Sequence, residues 1–182
     1  MAKKSILTPD EIIKSYKDTF GKGILSSRVE SFERGIQKTQ MFHIYMAIEK
    51  SIYKDVVKHL FTFEKHPHFA VSSGYDLGKT VELVHHFSLY YGAKARGISV
   101  NITVALPKND LTIDTITDLI PGALISEQEK QEMLGVKVIG IPKDDRVFIP
   151  REFPEGIYPW RRDETGPDSM VRNLHDEVKK DE

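Results

Sequence analysis

The chain has 182 residues, a formal net charge of −1 with basic and acidic residues interspersed, and no cysteine. That length suits one domain with appendages rather than two. Near-neutral charge removes the global electrostatic case for nucleic acid or an anionic bilayer, and a chain without thiols makes no disulfide, thiolate zinc site or iron–sulfur cluster.

Thr8-Pro9-Asp10-Glu11 offers an N-cap, a proline at the first helical position and a capping-box glutamate, and Ile12, Ile13, Tyr16 and Phe20 then share one helical face that Gly21 and Gly23 close. Residues 24–33 and 38–49 read as two strands of a hairpin turning near Arg34-Gly35, the second with Phe42, Ile44, Met46 and Ile48 alternating. A helix over 51–63 puts Ile52, Val56, Leu60 and Phe63 on one side, to be packed across the sheet. A short strand over 69–73, a turn at Asp76-Leu77-Gly78, a long strand through Val81, Leu83, His85, Phe87 and Leu89, and another from Ile98 to Leu106 complete the pattern. Two main helices and a mostly antiparallel sheet predict an α+β two-layer sandwich over residues 1–122. Residues 108–120 loosen into a loop with one helical turn near 114–119, and Pro121-Gly122 turns the chain.

The stretch over 123–166 differs. Ser126 with Glu129 predicts a capping box at the start of a short helix that Gly135 stops. Beyond it, Pro142, Pro150, Pro154, Pro159 and Pro167 remove backbone donors and favour an extended arm. Phe148, Ile149, Phe153, Ile157, Tyr158 and Trp160, the only tryptophan, require a surface to lie on. Six anchors at ~2 kcal/mol each fall short of ordering about two dozen residues at ~1–2 kcal/mol apiece, so the arm needs backbone hydrogen bonds to its own domain or, the favoured reading, to a partner. The tail over 167–182 is polar, either mobile or a short helix from Asp168.

These residues resemble the signature of the C-type, "thirty-kilodalton" subunit of respiratory complex I and its hydrogenase relatives. Glu127, Glu129, Glu132, Met133, Leu134, Gly135 and Val136 follow the family's opening acidic-to-apolar run. Gly140 and Pro142 flank its histidine position, here Ile141; Arg146, Phe148, Ile149, Pro150, Glu152 and Phe153 match the next block, and Gly156, Tyr158, Pro159, Arg161, Arg162 and Asp163 the closing one. Ile125, Gln128, Gln131 and Ile141 depart from quinone-linked complex I and point to the membrane-bound hydrogenase or sulfane reductase branch. The resemblance implies a structural subunit without its own cofactor. It would pack on a large hydrogenase-like catalytic subunit near an iron–sulfur small subunit and a ferredoxin-like subunit, with iron–sulfur clusters and nickel–iron in those partners. The candidate partner-binding residues are Glu127, Glu129, Arg146, Phe153, Tyr158, Trp160, Arg161, Arg162 and Asp163. No catalytic, cofactor or metal residue is assigned.

Other motifs carry less. His85 and His86 are neighbours on a strand and face opposite ways, so they do not share a metal ion. Gly74 to Thr80 ends in Gly-Lys-Thr, but the spacing of a phosphate loop is absent and a strand follows. Glu127 or Glu129 would need a proton donor within reach to serve proton transfer, and the sequence supplies none. A subunit of quinone-linked complex I, or a single-stranded nucleic-acid module on an open sheet, are the rival readings; the latter lacks a basic stripe. No apolar run approaches the ~18–20 residues that span a bilayer, and MAKKSILTPDE lacks a signal peptide's apolar core, so the chain is expected on the cytoplasmic side, reaching the membrane only through its complex. Sparse asparagine and glutamine beside plentiful lysine and glutamate accord with a thermophilic source.

Overall fold

The computed structural model describes residues 6–93 and 97–171. Helix α1 (Pro9–Phe20) begins as its sequence dictates: Thr8 Oγ1 accepts from the Glu11 N–H at 3.3 Å and the Glu11 carboxylate accepts from the Thr8 N–H at 2.7 Å. Each bond satisfies a donor that the first turn would otherwise leave open. Strands β1 (Ile24–Arg34) and β2 (Thr39–Ile48) form the expected antiparallel hairpin, and a 3-10 turn at Lys50–Ile52 leads into α2 (Tyr53–Phe63). Strands β3 (His68–Asp76), β4 (Thr80–Leu89) and β5 (Ile98–Pro107) follow.

The sheet order is β1-β2-β5-β4-β3, with β2–β5 parallel and the other three pairings antiparallel. Burial alternates along β4 with period two: Val81, Leu83, Phe87 and Leu89 are buried, while Glu82, Val84 and Ser88 are partly exposed. The buried set joins Ile44, Met46, Ile48, Val100, Ile102, Val104 and Leu106 beneath Ile12, Ile13 and Tyr16 of α1 and Val56, Leu60 and Phe63 of α2. At roughly 1.5–3 kcal/mol per buried side chain this one face supplies the domain's main driving force.

The second half departs from expectation in two places. Residues 108–120 contain a short strand, β6 (Thr112–Asp114), before the expected turn, in which the Ile120 N–H bonds Ile116 O at 2.8 Å. Strand β6 pairs in parallel with β7 (Lys137–Ile139), which lies beyond the next helix. That helix, α3, spans Leu124–Leu134, fed directly by a 3-10 turn at Pro121–Ala123, so Ser126 lies inside it and no side chain caps its start. The expected capping box is absent because the proline-led turn has already set the helical geometry. Gly135, in the left-handed region at φ 70°, ends α3 as expected.

Helix α3 lies against β3. A Cβ on Gly74 would stand 2.4 Å from Leu134 Cδ1 and 3.2 Å from Lys130 Cδ, so a strand position without a side chain lets the helix approach. A 3-10 turn at Pro167–Met170 opens the polar tail; residues 172–182 lie outside the described residues.

Candidate partner interface

Beyond β7 the chain forms neither helix nor strand until Pro167, running through bends and turns, and several of its donors are met from α3. The Glu132 carboxylate, buried on α3, accepts from the Val147, Phe148 and Ile149 N–H groups at 2.6, 2.9 and 2.8 Å. Gln128 Nε2 donates to the Lys143 and Asp145 carbonyls at 3.3 Å each. Arg146 Nη1 donates to Pro150 O at 3.3 Å and Phe153 O at 3.0 Å, which closes the loop between them. The Trp160 N–H reaches Met133 O at 3.0 Å, satisfying a carbonyl at the end of α3. Thus the surface expected from a partner is supplied first by the chain's own helix. Phe148 and Trp160 nevertheless remain exposed.

Lys108, just past the end of β5, joins the arm to the sheet. Its ammonium pairs with Asp76 at 2.9 Å and with Asp163, and Asp76 also accepts from the Arg162 N–H at 2.8 Å and the Gly78 N–H at 2.9 Å. Burial alone would raise the Asp76 carboxyl, but the Arg162 N–H, Lys108 and the Gly78 N–H outweigh it and hold the group below its ordinary value. Lys108 and the Thr165 hydroxyl hold Asp163 well below the usual carboxylate range. Burial opposes the charge on Lys108 as well, yet Asp163 and Asp76 raise its pKa.

Lys130 is 1% exposed. Its stem passes Gly74, its ammonium meets Glu129, and the Trp160 ring lies 5.0 Å away. A partly desolvated cation over an indole is worth ~1–2 kcal/mol, enough to fix the ring where the arm crosses β3.

Of the nine residues that the sequence singles out, Glu129, Trp160, Arg161, Arg162 and Asp163 come together beside β3. Arg146 and Phe153 join within the arm loop, and the Tyr158 ring edge fills the space that Gly135 leaves. Glu127 is different: it is buried, accepting from Thr115 Oγ1 at 2.6 Å and the Ile116 N–H at 2.8 Å. Burial raises its pKa, with the Ile116 N–H and Thr115 hydroxyl pulling the other way. It therefore pins the segment after β6 and does not lie on a surface. Asp76, Lys108, Lys130 and Glu132 are not among the nine. In the sequence Glu132 shows only as a signature match, and Asp76 only as a turn residue, because both act on backbone far away along the chain.

His85 and His86 do face opposite ways. His86 lies between Ser73 Oγ (3.0 Å) and Asn101 Oδ1 (2.7 Å), whereas buried His85 meets Tyr53 OH at 3.3 Å. Burial, with His86 and Lys130 nearby, drives His85 down to about 3, so it is neutral at physiological pH. Among the described residues no group of three or more metal-ligating side chains converges, and no helix is long and apolar enough to cross a membrane.

Comparisons with known proteins match these features. The family model described as "Respiratory-chain NADH dehydrogenase, 30 Kd subunit" matches residues 46–169, from β2 to the end of the arm. Over 131 residues, 71% of this chain and 75% of the relative, the chain is 34% identical to the membrane-bound hydrogenase subunit beta of Pyrococcus furiosus. Over 97 residues it is 33% identical to the fused C/D protein of the NADH-quinone oxidoreductase of Erwinia tasmaniensis, half of this chain but only 16% of that protein. Among solved structures, a chain of the membrane-bound sulfane sulfur reductase, an archaeal respiratory membrane complex, superposes over 94% of this chain and 89% of its own with a TM-score of 0.62 at 18% identity. A trypsin-resistant fragment of Nqo5 superposes over 75% of this chain and 99% of its own with a TM-score of 0.55 at 18% identity. With the family model spanning most of the sheet and the whole arm, the chain belongs to the respiratory-chain NADH dehydrogenase 30 Kd subunit family, whose relatives here include proteins of membrane-bound hydrogenase and complex I-type oxidoreductases.

Proposed function

We propose that this chain is a non-catalytic structural subunit in the hydrophilic arm of a membrane-bound oxidoreductase of the hydrogenase or sulfane reductase type, docking on the large catalytic subunit. The observation that carries this reading is what the braced arm leaves exposed. Trp160, Phe148 and Arg162 are exposed on a scaffold held by Glu132 and Lys108, aromatic and arginine side chains of the kind that anchor interfaces. The buried carboxylates support a structural role too, since Glu127, Glu132 and Asp76 are each committed to backbone N–H groups. The contribution to activity is preorganisation: a rigid sheet and a braced arm hold the catalytic subunit in one geometry. The iron–sulfur clusters, and nickel–iron where present, belong to the large, small and ferredoxin-like partners, and the complex lies on the cytoplasmic side of the membrane.

Purification through a tag on this chain from its native host tests the reading. The expected outcome is equimolar recovery of a hydrogenase-like large subunit and iron–sulfur subunits, with no metal or flavin in the chain once separated. Recovery of the chain alone, or a stoichiometric cofactor bound to it, would overturn the proposal.

A further inference from the structure

Strand β3 ends the sheet, and among the described residues no strand lies on its outer side. The Leu77 N–H bonds Thr80 O at 2.9 Å, so the antiparallel alternation turns the backbone groups of Tyr75 and Ser73 towards β4 and those of Ser72, Gly74 and Asp76 outwards. A groove runs along this edge, with β3 on one side and Lys130 and Trp160 on the other. It continues into a hollow of about 340 Å³ between Asp76, Leu77, Arg161 and Arg162.

The charge in that hollow is unbalanced in a specific way. Asp76 and Asp163 are already committed to Lys108 and to backbone N–H groups. The Arg161 side chain is only 7% exposed, yet among the described residues its Nε and Nη1 have no acceptor and its one charge contact is Nη2 to Asp163 at 3.7 Å. Arg162 is exposed and makes no ion pair among the described residues. Two guanidinium groups thus lie at one end of an open strand edge without a full complement of acceptors. Tyr75 (52% exposed), Leu77 (57%) and Trp160 (42%) border the same groove and give it apolar walls.

We propose that this groove receives an extended segment of a neighbouring subunit. The segment adds to the free edge of β3 through Ser72 and Gly74, lays an aspartate or glutamate carboxylate on exposed Arg162 beside the buried Arg161 guanidinium, and sets an apolar side chain between Tyr75 and Trp160. The three requirements are complementary: the strand edge supplies affinity through backbone hydrogen bonds, while the guanidinium groups and aromatic walls select the sequence. This rests on the reading of the chain as a subunit of a larger complex and names the chemistry by which it is held there.

Photocrosslinking in the assembled complex tests it. Tyr75 is replaced by p-benzoylphenylalanine, with the same replacement at Ile36, on the β1–β2 turn, as a control; the complex is purified, irradiated, and the adducts are sequenced by mass spectrometry. The expected result at position 75 is one peptide of another subunit with an acidic residue within a few positions of the attachment point, absent from the Ile36 control. Its yield should drop at least tenfold in the Arg162→Glu background and be retained with Arg162→Lys. A complex that assembles but gives a position-75 adduct to a peptide without a carboxylate, to a second copy of this chain, to residues 172–182 of the same chain, or to nothing, would overturn the inference while leaving the subunit reading intact. A chain that purifies alone would overturn both.

Discussion

Removing the Glu132 carboxylate should release the arm without melting the domain. The three N–H groups of Val147, Phe148 and Ile149 converge on that one side chain, and hydrogen bonds to a charged acceptor contribute ~1.5–3 kcal/mol each in favourable cases. The full sum is not expected, because Val147 and Phe148 are half exposed and water can reach their amides once the loop opens. A loss of about 3 kcal/mol in the local opening free energy is the reasonable figure for Glu132→Ala, which corresponds to roughly 100-fold faster amide exchange at residues 147–149. Glu132→Gln keeps one acceptor oxygen, and its acceleration should fall near tenfold. The α1, α2 and β5 amides should keep their protection, since their burial does not involve the arm. Hydrogen exchange on the three proteins provides the measurement. Unchanged exchange at 147–149 in Glu132→Ala would show that the arm is held by its apolar contacts instead, and equal acceleration across β5 would show that arm and domain unfold as one.

Gly135→Ala should destabilise the chain by ~2–4 kcal/mol in denaturant titration, because φ is positive there and a Cβ would stand 2.7 Å from the Tyr158 ring; a loss under ~1 kcal/mol would mean the ring moves freely. Asp163 has a depressed pKa in the fold, so its stabilisation is present above its ordinary 3.8 and is lost as pH falls below that value. Asp163→Asn should therefore be less stable than the parent at pH 7, with the gap narrowing progressively as pH falls below about 4 and still open at about pH 3, and parallel curves would refute the Lys108 linkage. His85 is likewise depressed, to about 3, so the stability of its neutral form is present above 6.5 and wanes below it: the parent should lose about 2 kcal/mol between about pH 7.5 and 5 that His85→Asn does not lose. Equal pH slopes in chemical denaturation would count against a buried neutral imidazole.

The sheet and first two helices are legible in the sequence because each is specified locally: Thr8 and Glu11 cap their own helix, and the alternation of Val81, Leu83, Phe87 and Leu89 needs only a period of two. Strand β6 is not legible, because three residues carry no period and its partner β7 lies beyond α3. The start of α3 misleads for a related reason. Ser126 and Glu129 have the spacing of a capping box, yet Pro121 has already begun the turn, and a local pattern cannot report that an earlier one has won. The arm is recognisable through its signature, but its attachment is not, since Glu132, Lys108 and Asp76 act across 15 to 86 residues. Adding six apolar anchors leaves an energetic deficit that invites a partner; the missing contribution comes from charged acceptors for backbone N–H groups, which hydrophobic counting omits.

That contribution changes how association should proceed. A disordered arm would meet its ordering cost at the moment of binding, at ~1–2 kcal/mol per residue, and would lose affinity accordingly. Here the cost is met on folding, by Glu132, Gln128, Arg146 and Lys108, so under the proposed function a partner docking on the arm meets a braced surface and spends its interactions on contact. Among the described residues, one of the costs left standing is at Arg161. Arg161 is buried with two donors unsatisfied, where a side chain selected for the stability of the isolated domain alone would be apolar or paired. On the proposed docking, a carboxylate of a neighbouring subunit at exposed Arg162 adds negative charge beside that guanidinium and offsets part of the cost only in the assembled state.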